Sequence, residues 1–251
     1  MRPEEKQRFI NSITFSTLFV AAMWLVKVIE LAFDTRFASF GIMPMEPYGL
    51  VGIITSPFIH GSIAHLSANS VPIWVLTSML FYFYRPIAWK TFILIYFITG
   101  LWVWFWGRES YHIGASGVVY GLASFLFFSG LLRKDNRLLA ITFLVAFLYG
   151  SLVWGIFPEI FPEKNISWES HLMGMLSGLV LALFYKGEGP QGKKYSWDFE
   201  EDDLEEDDEN AYWNKPLKRP EKKAPKKNAP LKINYIYKEK KNNDSIEKPK
   251  R

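Results

Sequence analysis

Four residues could do chemistry together: Ser116, His171, His65 and Asn69. A serine hydroxyl is a weak nucleophile until a neighbouring base takes its proton, and histidine is the usual base near neutral pH. A second histidine and a side-chain amide add further polar, reactive groups, which are costly inside a membrane span and usually functional there. The chain of 251 residues has no cysteine, so thiol nucleophiles, disulfides and thiolate metal sites are excluded. Taken singly, each candidate has a plainer reading. Ser116 suits a tight helix contact, and Asn69 or His171 could bridge two helices by a hydrogen bond. His112 reads as a residue of the membrane interface beside the Ser116 loop. The case rests on the four residues jointly.

The elements that must position them are apolar. Six segments approach the ~20 residues needed to cross a bilayer core. They run roughly over 10–33, 66–84, 91–106, 116–132, 138–157 and 170–185. The charged start, Met1 to Arg8, is followed by an apolar run too long for a signal peptide, with no small-residue cleavage site, so the first segment reads as a retained span. Aromatic residues make up 17% of the chain, with ten tryptophans, as suits lipid–water interfaces. The loops on one side carry 11 basic residues and those on the other carry Arg36, Arg108 and Lys164, so both termini should be cytoplasmic. Lys27 lies toward the outer end of the first span. It is expected either to snorkel outward or to pair with Glu30 one turn later.

This topology brings the candidates to one depth. Spans two, four and six all run inward from the outer side, and His65, Ser116 and His171 each sit at the start of one. His65 and Asn69 share a helix face, as do Ser116 and Tyr120. Gly117 and Gly121 form a small-residue seam on span four, and Gly174 and Gly178 form another on span six. Such seams let membrane helices approach closely. A Ser–His dyad follows, since no carboxylate lies on these helix faces.

Beyond Lys186 the pattern stops. The stretch 187–251 holds 16 basic and 15 acidic residues, with an acidic block at Asp198–Glu209 and a Lys- and Pro-rich end. Such a segment cannot bury enough apolar surface to fold alone and is expected to be a disordered cytoplasmic tail. The chain thus divides into a six-span core over 1–186 and the tail over 187–251. The acidic block lacks the turn glycine of a calcium loop, so no metal site is expected there. The tail is expected to recruit a cytoplasmic partner or to lie, through its basic part, on anionic lipid.

Several motifs carry a family resemblance. Gly41-Ile-Met-Pro44, Gly49-Leu-Val-Gly-Ile53, Pro57-Phe-Ile-His60 and His65-Leu-Ser-Ala-Asn69 look like the rhomboid protease signature around its second span. His112-Ile-Gly-Ala-Ser-Gly117 with Tyr120 resembles the family's GxSG nucleophile motif, which includes Gly114. His171-Leu-Met-Gly-Met-Leu-Ser-Gly178 resembles its HxxGxxxG motif. The resemblance implies an all-α, six-span bundle and an intramembrane serine endopeptidase acting on transmembrane protein substrates. It implies Ser116 as nucleophile and His171 as base. It implies His65, Asn69 and the Ser116 N–H as the oxyanion hole, Tyr120 packed on His171, and His60 as a supporting histidine. It implies no metal, organic cofactor or nucleic acid. The family's Trp-Arg pair in the first outer loop is absent; the loop reads Asp34-Thr-Arg-Phe37. A catalytically silent relative that escorts membrane clients is the rival expectation, and such relatives typically lack the Ser or the His. A small transporter or channel is the third, and it calls for charges or breaks at mid-span. The compact core, without an organelle presequence, points to a bacterial cytoplasmic membrane.

Overall fold

Lipid offers no hydrogen bonds to a backbone, so apolar segments satisfy their own amides by forming helices. A computed structural model of the protein describes residues 2–134, 139–140, 142–143 and 167–189. Its elements are α1 (Pro3–Ala32), a short α2 (Gly52–Thr55), α3 (Ile63–Phe83), α4 (Ala88–Trp106), α5 (Ser116–Leu132) and α6 (Trp168–Phe184). The fold is all-α. Among the described residues, three helices, α1, α3 and α4, are long and apolar enough to cross a membrane, and α5 and α6 are shorter apolar helices of 17 residues each. Of the fifth expected span, Leu139, Ala140, Thr142 and Phe143 are helical, and the remainder lies outside the described residues. So does the expected tail beyond Gly189. The described residues all belong to one compact unit, Met1–Lys194.

The helix starts have local causes. α1 begins seven residues earlier than hydropathy suggests. Pro3 sits at its first turn with Glu4 and Glu5, and the Glu5 carboxylate accepts from the Arg2 backbone N–H and from its guanidinium. At about 45 Å for 30 residues, α1 outruns a bilayer core of about 30 Å. α3 begins at Ile63 because the Ser62 hydroxyl accepts the His65 N–H at 3.1 Å. α6 begins at Trp168 because the Ser167 hydroxyl accepts the Ser170 N–H. Both caps lie outside the apolar runs, so hydropathy alone starts these helices two or three residues late.

Two kinds of packing hold the bundle. α5 and α6 meet backbone to backbone: a Cβ on Gly174 would lie 2.0 Å from the Gly117 carbonyl oxygen, and one on Gly178 would lie 2.1 Å from that of Gly121. α1 meets α3 through side chains. Trp24 donates to Ser70, Trp74 to Thr17 and Ser78 to Ser16, each within 3.0 Å. Beside them Phe15, Phe19, Phe81, Trp89 and Phe92 form an aromatic cluster with centroid distances of 4.6–6.5 Å. At the far end of α5, Arg133 is 6% exposed and donates to the Tyr185 and Glu188 carbonyls. It ties the C-terminal ends of α5 and α6 together.

Candidate active site

Ser116 is the first residue of α5, and its N-cap is Ala115. The chain reaches it through Gly114, whose φ of +107° is unfavourable for any residue with a side chain. Gly114 serves a second need. A Cβ there would lie 2.8 Å from the His65 ring, so its absence lets that ring rest on the loop before Ser116. Ser116 is half-buried. As the first residue of a helix, it lies where free N–H groups and the helix dipole favour negative charge.

The α5–α6 seam sets the partner. A Cβ on Gly117 would lie 3.1 Å from the Ser170 carbonyl oxygen. The first turn of α5, carrying Ser116, therefore rests against the first turn of α6, carrying His171. The Tyr120 ring, one turn after Ser116, is stacked on the His171 imidazole at 4.2 Å and 12°. His171 is 8% exposed. The His65 backbone oxygen accepts from the buried Asn69 amide at 3.0 Å, which uses one of that amide's two protons and leaves the other. Ser116, Tyr120, His171, His65 and Gly114 thus converge on one end of the bundle, with Asn69 one turn below His65.

A relay of polar contacts fixes the Ser116 loop from behind. His60 is 2% exposed. Its Nδ1 faces the Phe58 carbonyl and its Nε2 faces the Ala115 N–H, each at 3.4 Å. A carbonyl only accepts, so Nδ1 carries the proton and Nε2 receives. Burial, and then the nearby His65 and Lys27, push the His60 pKa down to about 3, so this neutral tautomer persists. The His60 carbonyl accepts from the Lys27 ammonium at 2.9 Å, and Lys27 pairs with Glu30 at 2.9 Å. Glu30 in turn accepts the Phe37 N–H at 2.8 Å. Of the two expectations for Lys27, pairing holds. The first outer loop is anchored by the Phe37 amide on Glu30.

His112 departs from its interface reading. It is 2% exposed. Its backbone exchanges two hydrogen bonds with Ile42, joining the first outer loop to the nucleophile loop. Its Nε2 donates to the Arg108 carbonyl at 3.0 Å, and its Nδ1 accepts from the Ser167 hydroxyl at 2.6 Å. Burial lowers its pKa, against a smaller upward pull from its bond to the Arg108 carbonyl and from Glu169. Beside it, the buried Glu169 faces Arg108 at 3.4 Å. Ser167, Glu169 and Arg108 fasten the His171 end of α6 to the loop before Ser116. Sequence reading passed over Ser167 and Glu169 and counted Arg108 only as an outer-loop charge, because none falls in an apolar segment or a motif. Glu169 lies two residues from His171, about 200° around the helix, and so faces away from it. Among the described residues, no cluster of His, Asp and Glu could hold a metal ion.

This is the architecture of a multi-helix membrane protein with polar groups gathered at one end. A family model described as "Rhomboid domain" matches residues 47–187. An uncharacterized protein of Mycobacterium tuberculosis is 32% identical over 185 residues, covering 71% of this chain and 77% of its own. One from Mycobacterium leprae is 29% identical over 181 residues, covering 69% and 70%. A protein of Acanthamoeba polyphaga mimivirus named as a rhomboid protein is 28% identical over 145 residues, covering 54% and 75%. The chain belongs to the rhomboid family.

Proposed function

We propose that this rhomboid-family protein is an intramembrane serine endopeptidase that cuts transmembrane protein substrates by a Ser116–His171 dyad. The observation that carries the reading is the contact of the first turns of α5 and α6, with Tyr120 stacked on His171. Ser116 Oγ attacks the scissile carbonyl as His171 takes its proton. The resulting oxyanion receives hydrogen bonds from the Ser116 N–H, His65 and Asn69. His171 then protonates the leaving amine, and water, activated by the same histidine, hydrolyses the acyl-enzyme. A regular helix hides its carbonyls in hydrogen bonds, so preferred substrates carry small or helix-breaking residues near the cut. Loop charge supports a cytoplasmic position for both termini and an outer-face position for the site, in a bacterial cytoplasmic membrane. No cofactor is invoked.

The test is cleavage of a model transmembrane substrate in liposomes, with fluorophosphonate labelling alongside. Wild type should cleave and label. Ser116→Ala should do neither, and His171→Ala should lose cleavage. Asn69→Ala should cleave about 10²–10³-fold more slowly, the usual cost of one oxyanion donor. Cleavage surviving in Ser116→Ala would remove that serine from the mechanism. A folded wild type inert to several substrates and the probe would favour the client-escort reading.

A further inference from the structure

Away from the candidate site, α1 and the hairpin of α3 and α4 leave a groove of about 530 Å³. It lies toward the N-terminal end of α1. Arg8 and Lys27 are 19 residues apart on that helix, which is about 28 Å, so the groove and the nucleophile loop sit at opposite ends of the bundle. Its lining changes character along the helix. Phe15, Leu18, Phe81 and Trp89 form an apolar wall, with Leu18 63% and Trp89 53% exposed. The rings of Phe15, Phe81 and Trp89 are packed on one another at 4.6–5.1 Å, so the wall is preformed. Arg8 and Arg85 line the other part.

Neither arginine pairs with an acidic side chain among the described residues. Arg8 is nevertheless fixed. Its Nε and one Nη donate to the Tyr82 carbonyl, and its guanidinium lies 4.6 Å over the Tyr82 ring. Its remaining N–H groups are free to meet an anion. A fixed guanidinium, a second cation and an exposed aromatic wall together suit a ligand with an anionic head and an apolar tail. Free phosphate would leave the wall uncovered. So would the acidic block Asp198–Glu209, whose apolar residues are only Phe199 and Leu204.

We propose that this groove binds an anionic phospholipid of the inner leaflet, with its phosphate between Arg8 and Arg85 and an acyl chain along Phe15, Leu18, Phe81 and Trp89. The site is independent of the peptidase reading. Full-length protein in non-ionic detergent, titrated with phosphatidylglycerol or chain-matched phosphatidylcholine, tests it by native mass spectrometry with the melting temperature read in parallel. A basic residue at a membrane surface is worth about fivefold in affinity for anionic lipid. Phosphatidylglycerol should therefore bind roughly twenty-five-fold more tightly, and Arg85→Gln or Arg8→Gln should each remove about fivefold. Arg8 also holds Tyr82, so Arg85→Gln carries the test if Arg8→Gln proves unstable. Leu18→Asn should weaken both lipids alike. Equal affinity for the two lipids, or a preference unchanged in Arg85→Gln, would overturn the site. Inorganic phosphate raising the melting temperature as much as phosphatidylglycerol would overturn its lipid character. Binding that appears only when Asp202, Asp203, Asp207 and Asp208 are replaced by Asn would put the acidic segment in the groove instead.

Discussion

The α5–α6 seam and the α1–α3 seam join helices in opposite ways. At α5–α6 there is nothing between the backbones: Gly174 meets Gly117 and Gly178 meets Gly121, while the Ser124 hydroxyl donates to the Met175 carbonyl at 2.7 Å. At α1–α3 the contact is made by long side chains, with Met23 and Phe19 buried and two tryptophans reaching across to hydroxyls. Backbones have no rotamers, so the first seam has one solution. Side chains can repack, so the second has many. The residues proposed to react, Ser116 and His171, are mounted on the seam with one solution. A dyad needs its two groups held within a few tenths of an ångström.

The largest effect should come from putting a side chain into the rigid seam. In Gly174→Ala the new Cβ would sit 2.0 Å from a backbone oxygen that cannot rotate away. Overpacking costs typically about 1–3 kcal/mol where side chains can shift; against a fixed backbone oxygen the cost should exceed the roughly 5 kcal/mol upper end for breaking a buried ion pair. Gly174→Val should leave no folded, active protein. Thermal unfolding in detergent and cleavage of the model substrate give the two readouts. A Gly174→Ala variant with wild-type rate would mean the seam is softer than its geometry, and the contrast would fail.

The next effect should come from the ion pair behind the Ser116 loop. Lys27 and Glu30 side chains are 12% and 6% exposed. Removing one partner of a buried pair strands the other and costs about 3–5 kcal/mol. Glu30→Ala and Lys27→Ala should therefore destabilise strongly. The double variant Lys27→Met with Glu30→Leu should recover much of the stability yet leave cleavage slowed, because the His60 carbonyl has lost its donor. Recovery of full activity in the double variant would reduce the relay to a structural pair.

These contrasts explain what the sequence disclosed. The α5–α6 seam was legible because glycines four apart are rare enough to carry meaning, and its motifs sit on the helices that use them. Span four was read to its ends, Ser116–Leu132, since a glycine-rich loop and a charged turn bound it. Helix starts set by side-chain caps, Ser62 and Ser167, were not legible, because hydropathy averages over the polar residue that does the capping. Nor were the long-range polar contacts. Arg133 counted as a cytoplasmic charge yet is buried, and His112 looked interfacial yet bridges two loops through Ile42 and Ser167. Partners 50 or more residues apart leave no local spacing to read.

A third expectation uses pH to probe the same loop. The His60 pKa falls from 6.5 in the unfolded chain to about 3 when folded. Between those values the unfolded chain binds the extra proton, so stability is full above about pH 6.5 and declines as pH drops toward 3. The slope should be about 1.4 kcal/mol per pH unit at most. Unfolding midpoints measured from pH 7.5 to 4.5 should show it, and His60→Gln should flatten it. An unchanged slope in His60→Gln would assign the acid sensitivity to other groups, His112 first among them, since burial lowers its pKa as well.

The smallest effect should come from the adaptable seam's own surroundings. Phe92 is 5% exposed and packs on Phe15, Phe19, Phe81 and Tyr96 at 4.9–6.5 Å. Phe92→Leu keeps an apolar side chain of similar bulk among neighbours that can rotate, so it should cost less than about 1.5 kcal/mol. Cleavage should stay within about twofold of wild type, because nothing between Phe92 and the α5–α6 seam has a single solution. A rate loss as large as that of Gly174→Ala, without matching destabilisation, would show that the aromatic cluster also sets the geometry of Ser116 and His171. The two seams would then form one rigid body, and the division between a fixed and an adaptable half would be wrong.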